Sequence, residues 1–344
     1  MSTRSEALKK LVTSLGWEPE SDTVAGLVTQ LSQMVEVSDG GLSIKEAPAY
    51  VARINRKGFE SIGEAVSAAK GRTVTLAADL ATGFEVPKGA RLTLDLNGHS
   101  ITSSGAAIIN NGDLTIKGEG VIESTASFAI VSASDATTTI ESGTVRSVEG
   151  AVITGKARGS RITIMGGSFF ASDNAVIAGN GSAGFGGNYI TITGGHFEGA
   201  IKSSGYVACG IYAPTDDHVT VTGGTFDIDG GCGICARAGR VVVTGGTFST
   251  TGSATGKVGD SRVVVPCSAI VFDAEAAYPA LSEKDGVTIH GGHFTSDVAP
   301  VSHVGDPSHI AIYSGSFSAD VPQDCCAIGY EPFESGGTHT VRRS

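Results

Sequence analysis

The sequence predicts an all-β protein, a right-handed parallel β-helix of about nine to ten coils preceded by a small N-terminal helical segment. Three observations lead to this prediction. A phrase of alternating apolar residues, two glycines and a phenylalanine recurs along the chain, as in YITITGGHF at 189–197 and HVTVTGGTF at 218–226. The phrase returns at a nearly constant spacing. Finally, 49 glycines against 10 prolines provide for many tight turns.

The spacing of the repeated phrase indicates strands and excludes helical repeats. The second apolar residue of each phrase falls at Leu94, Ile116, Ile140, Ile164, Ile192, Val221, Val243, Ile289 and Ile312. Successive steps are 22, 24, 24, 28, 29, 22, 46 and 23 residues, which describes coils of constant size with loops of variable length. Helical repeats need about 33 or more residues, and strict alternation of apolar and polar residues is typical of strands.

A second, shorter motif lies between the phrases. A small residue followed by an apolar one occurs in GAVIT at 150–154, CGICA at 232–236 and CCAIGY at 325–330. Each coil therefore contains at least two strands, with the glycine pair at a corner where positive φ costs little. The phenylalanine after the glycines should return to the interior. Six rings are thus predicted to stack as one ladder: Phe169, Phe197, Phe226, Phe248, Phe294 and Phe317.

The repeats begin with two stretches that belong to the same pattern, FESIGEAVSAAKGRTVTLAADL at 59–80 and VPKGARLTLDLNGHSI at 86–101. The pattern resembles the pectin-lyase-like superfamily of right-handed β-helices over residues 50–344. The resemblance implies a capping helix at about 59–70 that covers the exposed edge of the first coil. Ser61 and Glu64 are predicted to form its capping box. The stretch at 318–341 resembles the closing coil of phage and bacterial-surface β-helices.

Residues 1–37 have a different pattern, that of two short amphipathic helices, and 38–49 read as a linker. Helices of this length cannot bury their apolar stripes alone, so they should pack on each other, on sister chains or on another protein. The segment is therefore predicted to mediate virion docking or oligomerisation through Leu8, Leu11, Leu15, Leu27, Leu31 and Met34.

The succession EALKKLVTSLGWEPESDTVAGLVTQLSQMV and then a β-helix resembles head-fibre and capsid-decoration proteins of tailed bacteriophages. The resemblance implies a non-enzymatic virion protein, assembled in the host cytoplasm and docked on capsid or other virion proteins. It also implies a homotrimer, the common state of β-helical phage fibres. The N-terminus lacks the apolar core of a signal peptide, which argues against classical secretion.

Two other functions remain open, a tail-spike-like polysaccharide depolymerase and a bacterial surface adhesin. Many pectin-lyase-like proteins cleave polysaccharides, yet Gly230 and Gly231 stand where polygalacturonase-like members carry paired acids. Asp216 and Asp217 are the best remaining pair, and we interpret them as part of a solvated turn. Inverting hydrolysis needs two carboxylates about 6.5–9.5 Å apart. No catalytic residue is predicted.

The sequence predicts no metal and no cofactor. His196 and His293 hold equivalent places three coils apart, roughly 14 Å at the spacing of adjacent strands, which is too far for one ion. Cys209, Cys232 and Cys326 precede the small-apolar motif and are interpreted as a stack of reduced core thiols.

Charge and hydropathy exclude two kinds of partner. A net charge of −11 leaves no basic face for nucleic acid. The sequence contains no run of 18 apolar residues, so membrane insertion is not predicted. The long loops instead predict weak binding of a host-cell glycan without cleavage, because loops on rigid scaffolds often carry binding sites. The contacts are predicted from aromatic and acidic residues in or near these loops: Phe185, Tyr206, Tyr212, Asp216, Asp217 and Tyr278.

Overall fold

The computed structural model describes Lys9, Thr13 and residues 35–38, 41–44, 50–182, 184–200, 205–252, 255–258, 263–275, 281–282 and 284–344. The chain divides into two compact units, Met1–Tyr50 and Val51–Ser344. The six docking residues predicted between Leu8 and Met34, and the glycan contact Tyr278, lie outside the described residues.

In the first unit, strands β1 (Val35–Ser38) and β2 (Gly41–Ile44) pair antiparallel. β1 overlaps the end of the predicted helical segment 1–37, and β2 lies in the predicted linker 38–49, so neither strand was predicted. The physical reason is visible in VEVSDGGLSI, where alternating apolar residues flank Asp-Gly, a strong signal for a hairpin. Lys9 and Thr13 are helical, and the Thr13 hydroxyl donates to the Lys9 carbonyl at 2.9 Å.

The second unit is built mainly from three long sheets. The first sheet is parallel except for its opening strands β3 and β4, which pair antiparallel. Its strands are β3 (Ala52–Ile54), β4 (Lys57–Phe59), β5 (Thr73–Leu76), β7 (Arg91–Asp95), β10 (Asp113–Lys117), β13 (Thr137–Ile140), β16 (Arg161–Ile164), β19 (Tyr189–Ile192), β22 (His218–Val221), β25 (Arg240–Val243), β30 (Gly286–Ile289) and β33 (Ile310–Ile312).

The second sheet is parallel up to its last two strands, β35 and β36, which form an antiparallel hairpin with β36 paired to β34. Its strands are β8 (Ser100–Ser103), β11 (Val121–Ser124), β14 (Thr144–Ser147), β17 (Ser168–Ala171), β20 (His196–Ala200), β23 (Thr225–Asp229), β26 (Thr247–Thr251), β31 (His293–Ser296), β34 (Ser316–Phe317), β35 (Tyr330–Ser335) and β36 (Thr338–Arg343).

The third sheet is parallel throughout. It contains β6 (Phe84–Val86), β9 (Ile108–Asn110), β12 (Phe128–Ser132), β15 (Gly150–Ile153), β18 (Ala175–Ala178), β21 (Ala208–Ala213), β24 (Gly231–Ala236), β29 (Ser268–Asp273) and β32 (Ala299–Val304). A separate antiparallel hairpin, β27 (Thr255–Lys257) and β28 (Val264–Pro266), is inserted between β26 and β29.

From β7 to β34 the chain visits the first, second and third sheets in fixed rotation, with the β27–β28 hairpin inserted between β26 and β29. Three consecutive strands therefore form one repeat, and each strand pairs with its counterpart in the next repeat. The protein is all-β with long parallel sheets, a β-helix-like architecture. At least two strands per repeat were predicted. The third is the one that contains the core phenylalanine, as Phe169 in β17.

The interior confirms the predicted phenylalanine ladder. Neighbouring rings from Phe169 to Phe317 stack with centroids 4.3 to 5.3 Å apart and planes within 14° of each other. The second glycine of the phrase has positive φ, 98° at Gly167 and 107° at Gly195, as the corner position requires. In the first and second sheets, alternation places an apolar face in this core and the more polar face outside.

Helix α1 (Ile62–Ala69) lies within the predicted range 59–70 and packs against β3, β5 and β6. It buries Ala65, Val66 and Ala69 in the core. Ser61 is its N-cap residue, but the predicted capping box is wrong. Within the described chain, the Ser61 side chain makes no capping hydrogen bond.

The closing part of the unit differs from the prediction. CCAIGY at 325–330 is not a strand of the third sheet, since a 3-10 helix (Gln323–Cys325) follows Pro322 and Cys326 forms an isolated bridge to Ile312 of the first sheet. Cys326 therefore does not belong to the predicted thiol stack. The third-sheet strand of this region is β32, whose sequence APVSHV has no small-apolar motif to reveal it.

Candidate functional site

Two of the predicted glycan contacts lie in the interior. Asp217 is fully buried, and its Oδ1 accepts hydrogen bonds from the backbone and side-chain amides of Asn188 at 3.0 and 2.9 Å. Burial raises the pKa of the Asp217 carboxyl, an effect that the Asn188 hydrogen bonds oppose. The interpretation of this residue as part of a solvated turn is wrong, and its carboxylate braces two neighbouring repeats.

Tyr212 is the second buried contact. It borders a cleft of about 440 Å³, yet only 6% of the residue is exposed, so it offers no ring face for stacking. Its hydroxyl accepts from Arg237 Nη1 at 2.6 Å, while Arg237 Nε donates to Asp273 Oδ2 at 2.8 Å. Arg237 and Asp273 have fully buried side chains. This ion pair anchors a structural network rather than a binding surface.

The same region holds a second apolar cluster on the outer side of the third sheet. Tyr212 belongs to it, whereas the preceding Ile211 faces the main core. The β27–β28 hairpin contributes Val265, so the insertion covers this face. Four thiols lie in the cluster: Cys209, Cys232, Cys235 and Cys267. A hydrogen bond with Cys209, together with burial, raises the pKa of Cys232 well above its usual range.

The remaining predicted contacts lie nearer the surface. Asp216 is exposed, and its carboxylate lies against Gly186 in the loop that carries the half-buried Phe185. Tyr206 is 39% exposed and bridges to Lys257 in the inserted hairpin. The structure therefore brings Phe185 close to Asp216 in sequence-distant loops. No described contact joins Tyr206 to either of them.

A larger cleft lies on the outer side of the second sheet, where the sequence predicted no site. Its volume is about 580 Å³, and it is formed at the C-terminal ends of the five adjacent strands β14, β17, β20, β23 and β26. Because these strands are parallel and in register, the residue that follows the core side chain in each strand lies beside its counterpart in the next strand. At the usual strand spacing, four steps give a length of roughly 19 Å.

Parallel register arranges the polar lining of this cleft, which we name the acidic cleft, as two rows. Arg146, Phe170, Glu198, Asp227 and Ser249 are consecutive register partners in the first row. The Arg146 guanidinium lies 5.2 Å from the centre of the half-buried Phe170 ring. The second row contains Ala200, Asp229 and Thr251.

His196 and Thr251 orient the carboxylates of the acidic cleft. His196 Nε2 lies 2.6 Å from Glu198 Oε1, and its Nδ1 lies 3.6 Å from Asp227 Oδ2, so the imidazole is held between two acids. The Thr251 hydroxyl donates to Asp229 Oδ1 at 2.8 Å. Glu198 and Asp227 side chains are each 48% exposed, which leaves oxygen atoms open to a ligand.

This arrangement combines a partly exposed aromatic ring with convergent hydrogen-bond acceptors, the combination that orients ligands in surface sites. Carboxylate oxygens accept hydrogen bonds from hydroxyl or ammonium groups. The sequence contained a signal for the site, since the residue after each core phenylalanine is Phe170, Glu198 and Asp227 in successive phrases. Sequence reasoning missed it because the third strand of each repeat was not identified.

The fold and the acidic cleft define a class, an all-β protein of long parallel sheets with an aromatic and acidic surface cleft. No protein-family model, curated protein or solved structure matches the chain. Among the described residues, no helix has the length and apolar character needed to cross a membrane.

Proposed function

We propose that the chain is a non-enzymatic structural protein of a tailed-bacteriophage virion, a head fibre or capsid decoration protein that attaches to a host-surface glycan. In this proposal the second unit is a right-handed parallel β-helix of about nine to ten coils. The first unit docks on capsid or other virion proteins. The glycan binds in the acidic cleft, and this cleft is the observation that carries the proposal.

The rigidity of the cleft supports a binding role. In the first row, Phe170, Glu198, Asp227 and Ser249 are fixed by strand pairing on both sides. The Phe169–Phe317 ladder packs directly beneath the same strands. A preformed site loses little conformational freedom when it binds. The Phe170 ring provides a flat apolar surface for one sugar face, and the acids accept from the hydroxyl groups of its neighbours.

The charge of the lining indicates the class of glycan. The lining contains three carboxylates, those of Glu198, Asp227 and Asp229, and one guanidinium, that of Arg146. Like charges would repel a polyanionic chain such as a polyuronate. A neutral polysaccharide, or one with free amino groups, fits the acidic cleft best.

A depolymerase is the second candidate, because Glu198 and Asp227 are neighbouring acids in one cleft. Glycoside hydrolysis uses two carboxylates that flank the scissile bond, about 5–5.5 Å apart for retention and about 6.5–9.5 Å for inversion. His196 instead occupies the space between these two acids, which favours binding over hydrolysis.

The experiment compares binding of a glycan array by the wild-type chain, Phe170→Ala and Asp227→Asn. We expect each variant to lose about tenfold or more in affinity, equivalent to about 1.4 kcal/mol. Thr295→Ala is the matched control, because Thr295 is exposed in the same row outside the cleft. Equal binding by Phe170→Ala and wild type, with loss in Tyr206→Ala, would assign the site to the loops. Release of reducing ends would support the depolymerase.

The proposal includes a homotrimer, the common state of the β-helical phage fibres that the chain resembles. The apolar stripes predicted for the N-terminal segment supply a reason for copies of the chain to associate. Light scattering on the full chain tests this part separately. A trimer that persists on dilution is expected, and a monodisperse monomer of 34.7 kDa would contradict it.

A further inference from the structure

Three side chains with metal-ligand chemistry converge where the last strand of the third sheet meets the closing segment. His303 lies in β32, while Asp324 and Cys325 lie in the 3-10 helix Gln323–Cys325. One ligand atom from each residue lies within 4.8 Å of the other two. Neither the acidic cleft nor the proposed glycan attachment uses these residues.

The orientation of His303 is set by its own strand end. Its Nδ1 lies 2.9 Å from the carbonyl oxygen of Gly305, which can only accept, so Nδ1 carries the proton and donates. In the neutral imidazole, Nε2 then carries a lone pair, and it lies 4.0 Å from Asp324 Oδ2. Two acceptors that face each other at this distance suit a cation between them. A backbone carbonyl on the other ring nitrogen is the usual support of a metal-bound histidine.

We propose that His303, Asp324 and Cys325 bind one Zn²⁺-type divalent ion, with water in the fourth position. A set of one imidazole nitrogen, one carboxylate oxygen and one thiolate sulfur suits zinc, whereas Mg²⁺ and Ca²⁺ prefer oxygen ligands alone. Around a tetrahedral zinc ion, such ligand atoms lie about 3.3–3.6 Å apart. Movements of about an ångström or less in the side chains would close the site.

The site would join strand β32 to the 3-10 helix Gln323–Cys325. Cys325 is buried in the main core, and Asp324 is exposed beside it. His303 lies in β32, which pairs with β29 in the third sheet. An ion held by both elements would stabilise the closing 3-10 helix on the third sheet. Metal binding to the folded state alone stabilises a protein by mass action.

The test is a titration of the reduced full chain with Co²⁺, a spectroscopic substitute for zinc. We expect one ion per chain and a sulfur-to-cobalt charge-transfer band in the near ultraviolet. The band should disappear in His303→Gln and Cys325→Ser, and it should persist in Cys326→Ser. His339→Gln is the matched control. His339 also pairs with an aspartate, Asp320, at 2.8 Å, but neither residue belongs to the His303–Asp324–Cys325 cluster.

A stability measurement keeps the test valid if Cys325→Ser does not fold. At zinc concentrations of about one hundred times the dissociation constant, the Tm of wild type should rise by about 5 °C. Asp324→Asn and His303→Gln change side chains that are at least partly exposed, and both variants should lose the rise in Tm. His339→Gln should keep it. Absence of a charge-transfer band in wild type, or an equal Tm rise in His303→Gln, would overturn the proposal and leave a plain His303–Asp324 ion pair.

Discussion

Phe226 stacks on Phe197 with ring centroids 4.3 Å apart and planes inclined by 7°. The two residues are also register partners in β23 and β20, so backbone pairing and ring stacking enforce the same alignment. Phe248 continues the stack on the other side at 4.5 Å. A ring in the middle of the ladder therefore has aromatic neighbours in both directions, and its position depends on the repeats on either side.

Phe226→Ala should destabilise the protein by about 3–5 kcal/mol, because it removes a fully buried ring and leaves a cavity between two stacked neighbours. Chemical denaturation measures the free energy of unfolding. Thr225→Ala, at the adjacent outward-facing position, should change it by less than about 1 kcal/mol. Identical unfolding curves for both variants would contradict the role of the ladder.

Asp273→Asn should cost about 3–5 kcal/mol, because it leaves the Arg237 charge buried without its carboxylate. The control is Glu331→Gln, which breaks the exposed Arg342–Glu331 pair of the same 2.8 Å length. Exposed pairs contribute about 0–1 kcal/mol. Thermal and denaturant unfolding of both variants would check the contrast, and equal small losses would argue against the buried network as a structural anchor.

Burial of Asp217 should make stability depend on pH in a defined direction. Its folded pKa is raised above the ordinary value of 3.8, so between these two pKa values the folded state binds more protons than the unfolded state. Wild type should therefore gain stability relative to Asp217→Asn as pH falls from 7 towards 4. Below the ordinary pKa both states are protonated and the difference becomes constant.

Asp216→Asn is the control for this measurement, because Asp216 is exposed beside the buried acid. Asp216→Asn retains the buried Asp217 carboxyl and its Asn188 hydrogen bonds, so it should keep the wild-type gain in stability as pH falls. A wild-type advantage over Asp217→Asn that grows as pH rises would show that the Asn188 hydrogen bonds outweigh burial.

Thiol labelling of the native protein should modify Cys326 alone among the six cysteines. Cys326 is half-buried and the other five are buried. Thiolates react, not thiols, and contact with Cys232 together with burial raises the pKa of Cys235 well above its usual range. Cys326→Ser should remove fast labelling, and unfolding should expose every thiol. Rapid native modification of Cys232 or Cys235 would contradict the packing under the β27–β28 hairpin.

Much of the second unit could be predicted because its strands obey local rules. Alternation in RITI and HVTV predicts strands, and the glycine pair predicts a corner that only positive φ satisfies, as at Gly167 and Gly195. The position of each core phenylalanine follows from these two facts. The ladder could thus be predicted ring by ring without any knowledge of sheet order.

The site could not be predicted in the same way, because burial of a polar residue depends on distant partners. Asp217 resembles its exposed neighbour Asp216 in sequence. Its burial is tolerable because it accepts from the amides of Asn188, 29 residues earlier, as well as from the nearby Thr215 hydroxyl. Likewise, Tyr212 is covered by an insertion that follows it by more than forty residues. The acidic cleft needs parallel register across five strands, which no single phrase specifies.

The closing hairpin determines whether copies of this protein can join end to end. A parallel sheet offers its last strand as a template for any incoming strand, and β34 would do so if β36 did not already pair with it. The outermost strand is then β35, where Pro332 lacks an amide donor and Glu334 adds a negative charge. At this edge, the second sheet is therefore closed to pairing with a strand of another copy, and it cannot grow into an open-ended polymer.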